Sequence, residues 1–154
     1  MTPDRVRKAY PPPRRADRAV PGGILARVSA DRASLARNCP VVEAAVGLSE
    51  WLGDDGRAVT AGGSLRPADV PDAARALGVR VTARVRRAAD VPQVHRQWIA
   101  AAGMGLIVVD GTRARRSETM DDPLRAWWAG LQAVLAEEVT TRLDTDPAPL
   151  RWRP

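Results

Sequence analysis

The stretch QWIAAAGMGLIVVDGTRARR, Gln97 to Arg116, leaves its chain little conformational choice. Trp98, Ala101 and Ala102 close an apolar helical stripe, and Gly103 marks where a helix can stop. Asp110-Gly111 is the residue pair best suited to a two-residue hairpin turn. Residues 105–109 before it are apolar and residues 112–116 after it are rich in arginine, so the two runs read as paired strands. A helix that runs straight into a small basic hairpin cannot bury its own stripe. The other elements must supply the cover.

Three further helices meet that need. Over 40–52, Val41, Ala44, Ala45, Leu48 and Leu52 recur at helical spacing with Trp51 beside them; Pro40 suits the first turn and Gly53 the stop. The tetrapeptide Ala-Asp-Val-Pro occurs at 68–71 and again at 89–92, each time ahead of an apolar helical pattern. Asp accepts from free first-turn N–H groups and Pro has none to waste, so both copies predict helix starts, at 69–77 and 91–102. The flanking residues do not match, which argues against an internal repeat. In the helix over 91–102, Val91, Val94, Trp98 and Ala101/Ala102 form the expected buried stripe, with Gln93, Arg96, Gln97 and Ala100 facing away. Asp121-Asp122-Pro123 opens a fourth helix, 123–138, whose Leu124, Trp127, Trp128, Leu131, Val134 and Leu135 give it a wide apolar face. Strand 57–60 lies between the turns DDG and AGGS, and 29–38 forms a short helix capped by Ser29 or Asp31. Between the second and third helices, VRVTARVRR alternates Val79, Val81 and Val85 with polar residues, which fits either an extra strand or an extended loop.

With 154 residues, 45% of them apolar, the chain has enough material for one domain and its tails. It contains no Phe, so five Trp must supply bulk. The expected division is a basic, largely disordered arm over 1–37, a domain over 38–142, and a Pro-rich tail over 143–154. Residues 1–37 hold nine basic and three acidic side chains, which accounts for the whole net charge of +6. The remainder is neutral but polarised. Residues 80–116 carry eight Arg against Asp90 and Asp110, whereas 117–146 carry seven acids against Arg125 and Arg142. A single cysteine excludes an internal disulfide and fits a reducing compartment. The first residues lack the apolar core of a secretory signal, and no apolar run approaches membrane-spanning length. A soluble, cytoplasmic protein without a membrane partner is expected.

The element order is helix, short strand, helix, helix, hairpin, helix. Over residues 40–116, GLSEWLGDDGRAVTAGGSLRPADV followed by AADVPQVHRQWIAAAG resembles uncharacterised winged-helix-like proteins of actinobacteria. The resemblance implies a mainly α fold with a small antiparallel β-sheet, winged-helix-like, and carries no activity of its own. The segment from Gly78 to Ala89 departs from it, being far longer than a helix-turn-helix turn.

That fold makes helix 91–102 the candidate reader of double-stranded DNA. Gln93 and Gln97 can bond an adenine edge and Arg96 a guanine edge. Arg80, Arg84, Arg86 and Arg87, with Arg113, Arg115 and Arg116 on the hairpin, are candidate phosphate contacts. The competing reading is a protein–protein module of the same fold. Leu124, Trp127 or Trp128, Leu131 and Leu135 would dock a partner protein, or pair two copies as a homodimer. His95 reads as a partly buried structural histidine, and Cys39 has no basic neighbour in sequence to activate it. One His and one Cys do not make a zinc site, Asp54-Asp55 reads as a turn, and AGGSLR lacks the spacing of a phosphate loop. No catalytic constellation stands out, so a non-enzyme without cofactor or metal is expected.

Overall fold

The computed structural model describes residues 22–117 and 120–145; the rest of the proline-rich arm and the tail beyond 145, with Trp152, lie outside the described residues. Five helices surround one small sheet. They are α1 (Gly22–Arg37), α2 (Pro40–Leu52), α3 (Val70–Ala76), α4 (Pro92–Gly103) and α5 (Pro123–Thr145), with strands β1 (Arg57–Ala58), β2 (Ile107–Asp110) and β3 (Arg113–Arg116). The mainly α class with a small antiparallel sheet stands.

Helix α2 forms where the apolar spacing placed it. The carbonyl of Cys39 accepts from the N–H groups of Val42 and Glu43 at 2.8 and 3.0 Å, and Val42, Ala45, Leu48 and Leu52 are buried. Burying a leucine of this kind contributes about 1.5–3 kcal/mol. With Leu65, Val59, Val70 and Val94 they make the centre of the core, and Trp98 supplies the bulk that Phe would elsewhere. The buried indole N–H of Trp98 donates to the carbonyl of Gly63 at 3.0 Å, which ties α4 to the turn after β1.

Several expectations are corrected. The short helix over 29–38 is longer than expected, running as α1 from Gly22 to Arg37; Ala36 is buried and α1 lies against α5. Strand 57–60 pairs regularly only at Arg57 and Ala58; Val59 continues as a single bridge to Leu65. Helix α4 ends at Gly103 as expected, but Gly103 is its last residue and not the left-handed one that closes it. The left-handed residue is Gly105 (φ +76°), where the N–H groups of Gly105 and Leu106 return to the carbonyls of Ala102 and Ala101 at 3.0 and 2.9 Å. Neither Asp of the repeated tetrapeptide caps through its side chain. Asp69 faces Arg57 at 3.7 Å, and Asp90 belongs to a 3-10 turn, Ala88–Asp90, ahead of α4. Asp122 is a true cap, accepting from the N–H groups of Leu124 and Arg125, both at 3.1 Å.

The segment over 79–87 is the extended loop of the two alternatives. Val79, Val81 and Val85 lie half-buried against the core and Arg80, Arg84 and Arg86 point outward, which explains the alternation without a strand. The Asp90 carboxylate accepts from the N–H groups of Arg86 and Arg87 at 2.8 and 3.2 Å, occupying donors a strand would need. The sheet runs β1-β3-β2, with Asp110 paired to Arg113 and Ile107 to Arg116. The arginine-bearing return strand is therefore the inner strand, so its charges do not line a sheet edge.

Candidate functional site

Helix α4 lies between two layers. Val94, Trp98 and Ala101 turn towards α2 and the core. On the opposite side Arg96, Ala100 and Gly103 recur at helical spacing; α5 packs over Ala100 and Gly103, while Arg96 stays exposed and reaches Glu138 at the edge of the contact. The approach is close because the contact residues are small. A Cβ at Gly103 would stand 2.6 Å from the Ala133 Cβ, and one at Gly130 would stand 3.0 Å from the Ala100 carbonyl oxygen. Ala100 is thus 2% exposed instead of facing away, while Ala102, expected inside, is exposed. The stripe was drawn for one buried face, and this helix has two.

Of the candidate base readers, Gln93 is exposed, whereas the other two are engaged or enclosed. Arg96 donates through Nε to Glu138 Oε1 at 2.7 Å, and this hydrogen bond holds the Glu138 carboxyl below the usual glutamate range. Gln97 is half-buried, with an Oε1 that has no hydrogen-bond partner among the described residues. His95 lies one residue along, its Nε2 3.5 Å from Glu137 Oε1. A cleft of about 580 Å³ opens beside these pairs, over Leu65, Ile99 and Val134.

The candidate phosphate contacts divide. Arg87 pairs with Asp90 at 3.2 Å, Arg113 donates to the Asp55 carbonyl at 3.0 Å, and Arg115 stands 3.7 Å from Asp110. Arg80, Arg84, Arg86 and Arg116 are exposed on the loop and the hairpin. Reading the sequence missed Arg57, whose guanidinium lies 4.2 Å above the Trp51 ring and 3.7 Å from Asp69, joining α2, β1 and α3. Its only signal was an arginine beside a turn.

The interface candidates behave differently. The two tryptophans diverge as adjacent helical residues must: Trp127 packs against the core, and Trp128 is 53% exposed, their ring centres 6.2 Å apart. Leu131 is half-buried, Leu124 is 42% exposed, and Leu135 is 55% exposed. Val139, beyond the expected helix end at 138, is 58% exposed and extends the same outer stripe. Within the described residues no helix is long and apolar enough to cross a membrane, and no three His, Cys, Asp or Glu side chains gather as a metal would require. No family model, curated protein or solved structure matches the chain.

Proposed function

We propose that the chain is a non-enzymatic protein-interaction module in which a winged-helix order serves as scaffold and the outer stripe of α5 is the working surface. One observation carries this reading. On the side of α4 that would have to enter a DNA groove α5 packs over the buried Ala100, Gln97 is half-buried, and Arg96, though exposed, is bonded to Glu138, which leaves Gln93 as the one exposed candidate reader without such a bond among the described residues. A groove reader must offer its side chains to base edges. In contrast, α5 leaves Leu124, Trp128, Leu135 and Val139 open to solvent along one stripe, and an exposed Trp flanked by aliphatic residues is a common interface anchor.

A second reading draws on the exposed arginines at 80, 84, 86 and 116. They suit contact with duplex DNA through phosphates alone, without base reading. Titration of the full chain with unrelated duplexes between 50 and 200 mM salt separates the two. Any affinity is expected to be indifferent to sequence and to Gln93→Ala or Gln97→Ala, and to lose about 0.9 of log–log salt slope per phosphate contact removed. A duplex preferred more than about tenfold, with that preference erased by either glutamine substitution, would overturn the interaction reading.

A further inference from the structure

The outer stripe of α5 has an internal symmetry. About the point midway between Leu131 and Gln132, Leu124 and Val139 stand at equal distances on either side, and so do Trp128 and Leu135. These are the four exposed large apolar residues of α5 among its described side chains. Turning a second α5 end for end about that point sets Leu124 of each helix opposite Val139 of the other, and Trp128 opposite Leu135. None of these four is left facing a polar residue; at the two-fold point itself half-buried Leu131 comes opposite Gln132. The same operation carries charge with it: exposed Asp121, just before α5, comes opposite exposed Arg142 of the other copy, twice over. A parallel pairing would instead set Asp121 against Asp121 and Arg142 against Arg142. The antiparallel arrangement is favoured on both counts, and self-complementarity of one patch is what a two-fold interface requires.

We infer that the partner bound by this surface is a second copy of the chain, joined through α5 in antiparallel register. The inference rests on the reading of α5 as the working surface. Leu124 and Val139 lie about 22 Å apart along the helix, which is short for the roughly 800 Å² that a standard interface takes from each partner. The expected affinity is therefore about micromolar. Trp128 stands near the centre, where the largest side chains of an interface contribute most.

Sedimentation equilibrium of the full chain across about 1–100 µM tests it, with folding of each variant checked by circular dichroism. The native chain is expected to run as a monomer–dimer mixture. Trp128→Glu, at an exposed position, is expected to fold and to weaken association at least about a hundredfold. Asp121→Arg and Arg142→Asp each place like charges opposite one another and are expected to weaken it roughly tenfold, while the double substitution restores it. A chain that stays monomeric throughout overturns the inference, as does a dimer indifferent to Trp128→Glu. A charge-swapped double variant that fails to recover overturns the antiparallel register. None of these outcomes alters the duplex titration, which judges the interaction reading separately.

Discussion

Gly103→Ala is the sharpest probe of the contact on which the functional reading depends. The added methyl carbon would stand 2.6 Å from the Ala133 Cβ and 3.1 Å from the Ala129 carbonyl oxygen. Carbon atoms pack best at about 3.5–4.0 Å, so the helices must separate by about 1 Å. Neither obstacle can rotate away, since one is a methyl group and the other is backbone. Overpacking of this kind costs about 1–3 kcal/mol. Alanine offsets at most about 1 kcal/mol of that through its better helix propensity, and less in a last turn such as this. The net expectation is a loss of about 1–2 kcal/mol, read as a fall of about 3–6 °C in Tm or as a lower urea midpoint. Ala133→Gly removes the struck methyl, so the double variant is expected to regain about 1–2 kcal/mol relative to the sum of the singles. A neutral or stabilising Gly103→Ala with no coupling to position 133 would refute the close approach of α5 to α4. The packing of α5 over Ala100 would be refuted with it.

Trp98→Phe removes the donor that satisfies the Gly63 carbonyl and is expected to cost about 1–3 kcal/mol in urea unfolding; a cost below half a kcal/mol would mean that the bond contributes nothing. Because the Arg96 hydrogen bond lowers the Glu138 pKa in the folded state, its stabilisation is present above the ordinary glutamate value and is lost as pH falls through the lower folded value. The urea-midpoint gap between the native chain and Arg96→Met is expected at pH 7 and should shrink as pH falls below the ordinary glutamate range; a gap that acidification leaves unchanged would sink the assignment. Gly105→Ala forces a left-handed conformation on a residue with a side chain and is expected to cost about 1–2 kcal/mol, whereas Gly62→Ala, into open space at a negative φ, stays near neutral.

Elements with a single strong cue were legible in the sequence. Pro40 and Gly53 bound α2, although the expected stripe residue Val41 is exposed and Val42 is buried in its place. Asp110-Gly111 marked the hairpin but not its register: Asp110 pairs with Arg113, so the two turn residues are Gly111 and Thr112, and the strands run 107–110 and 113–116 instead of 105–109 and 112–116. What escaped was decided by tertiary contact. Ala100 and Gly103 look like surface and terminus to a reader who assigns one buried face per helix, yet a second helix packs on that side. Asp69 and Asp90 have the composition of caps, but an arginine and a pair of loop N–H groups claim their carboxylates. Inner versus outer placement of the return strand depends on β1, which lies 55 residues earlier at its nearest pairing and leaves no local trace. For the candidate site, the divergence of Trp127 and Trp128 followed from helix geometry alone, while the engagement of Arg96 by Glu138 needed the docking of α5.

The loop over 79–87 divides the chain into two runs that are threaded through each other. Helix α1 rests on α5, α2 on α4, and β1 on β3, so each of these early elements finds its neighbour in the later run. Such long-range pairing raises the contact order, and most of the loop-closure entropy must be spent before these contacts form. The dependence is one-sided: α4, α5 and the hairpin pack on one another within the later run, whereas α2 takes its main cover from α4 and β1 its partner from β3. Severed at the exposed Thr82-Ala83, the early piece is expected to stay unstructured alone and to fold on the later piece when the two are mixed, as a heterodimer of halves.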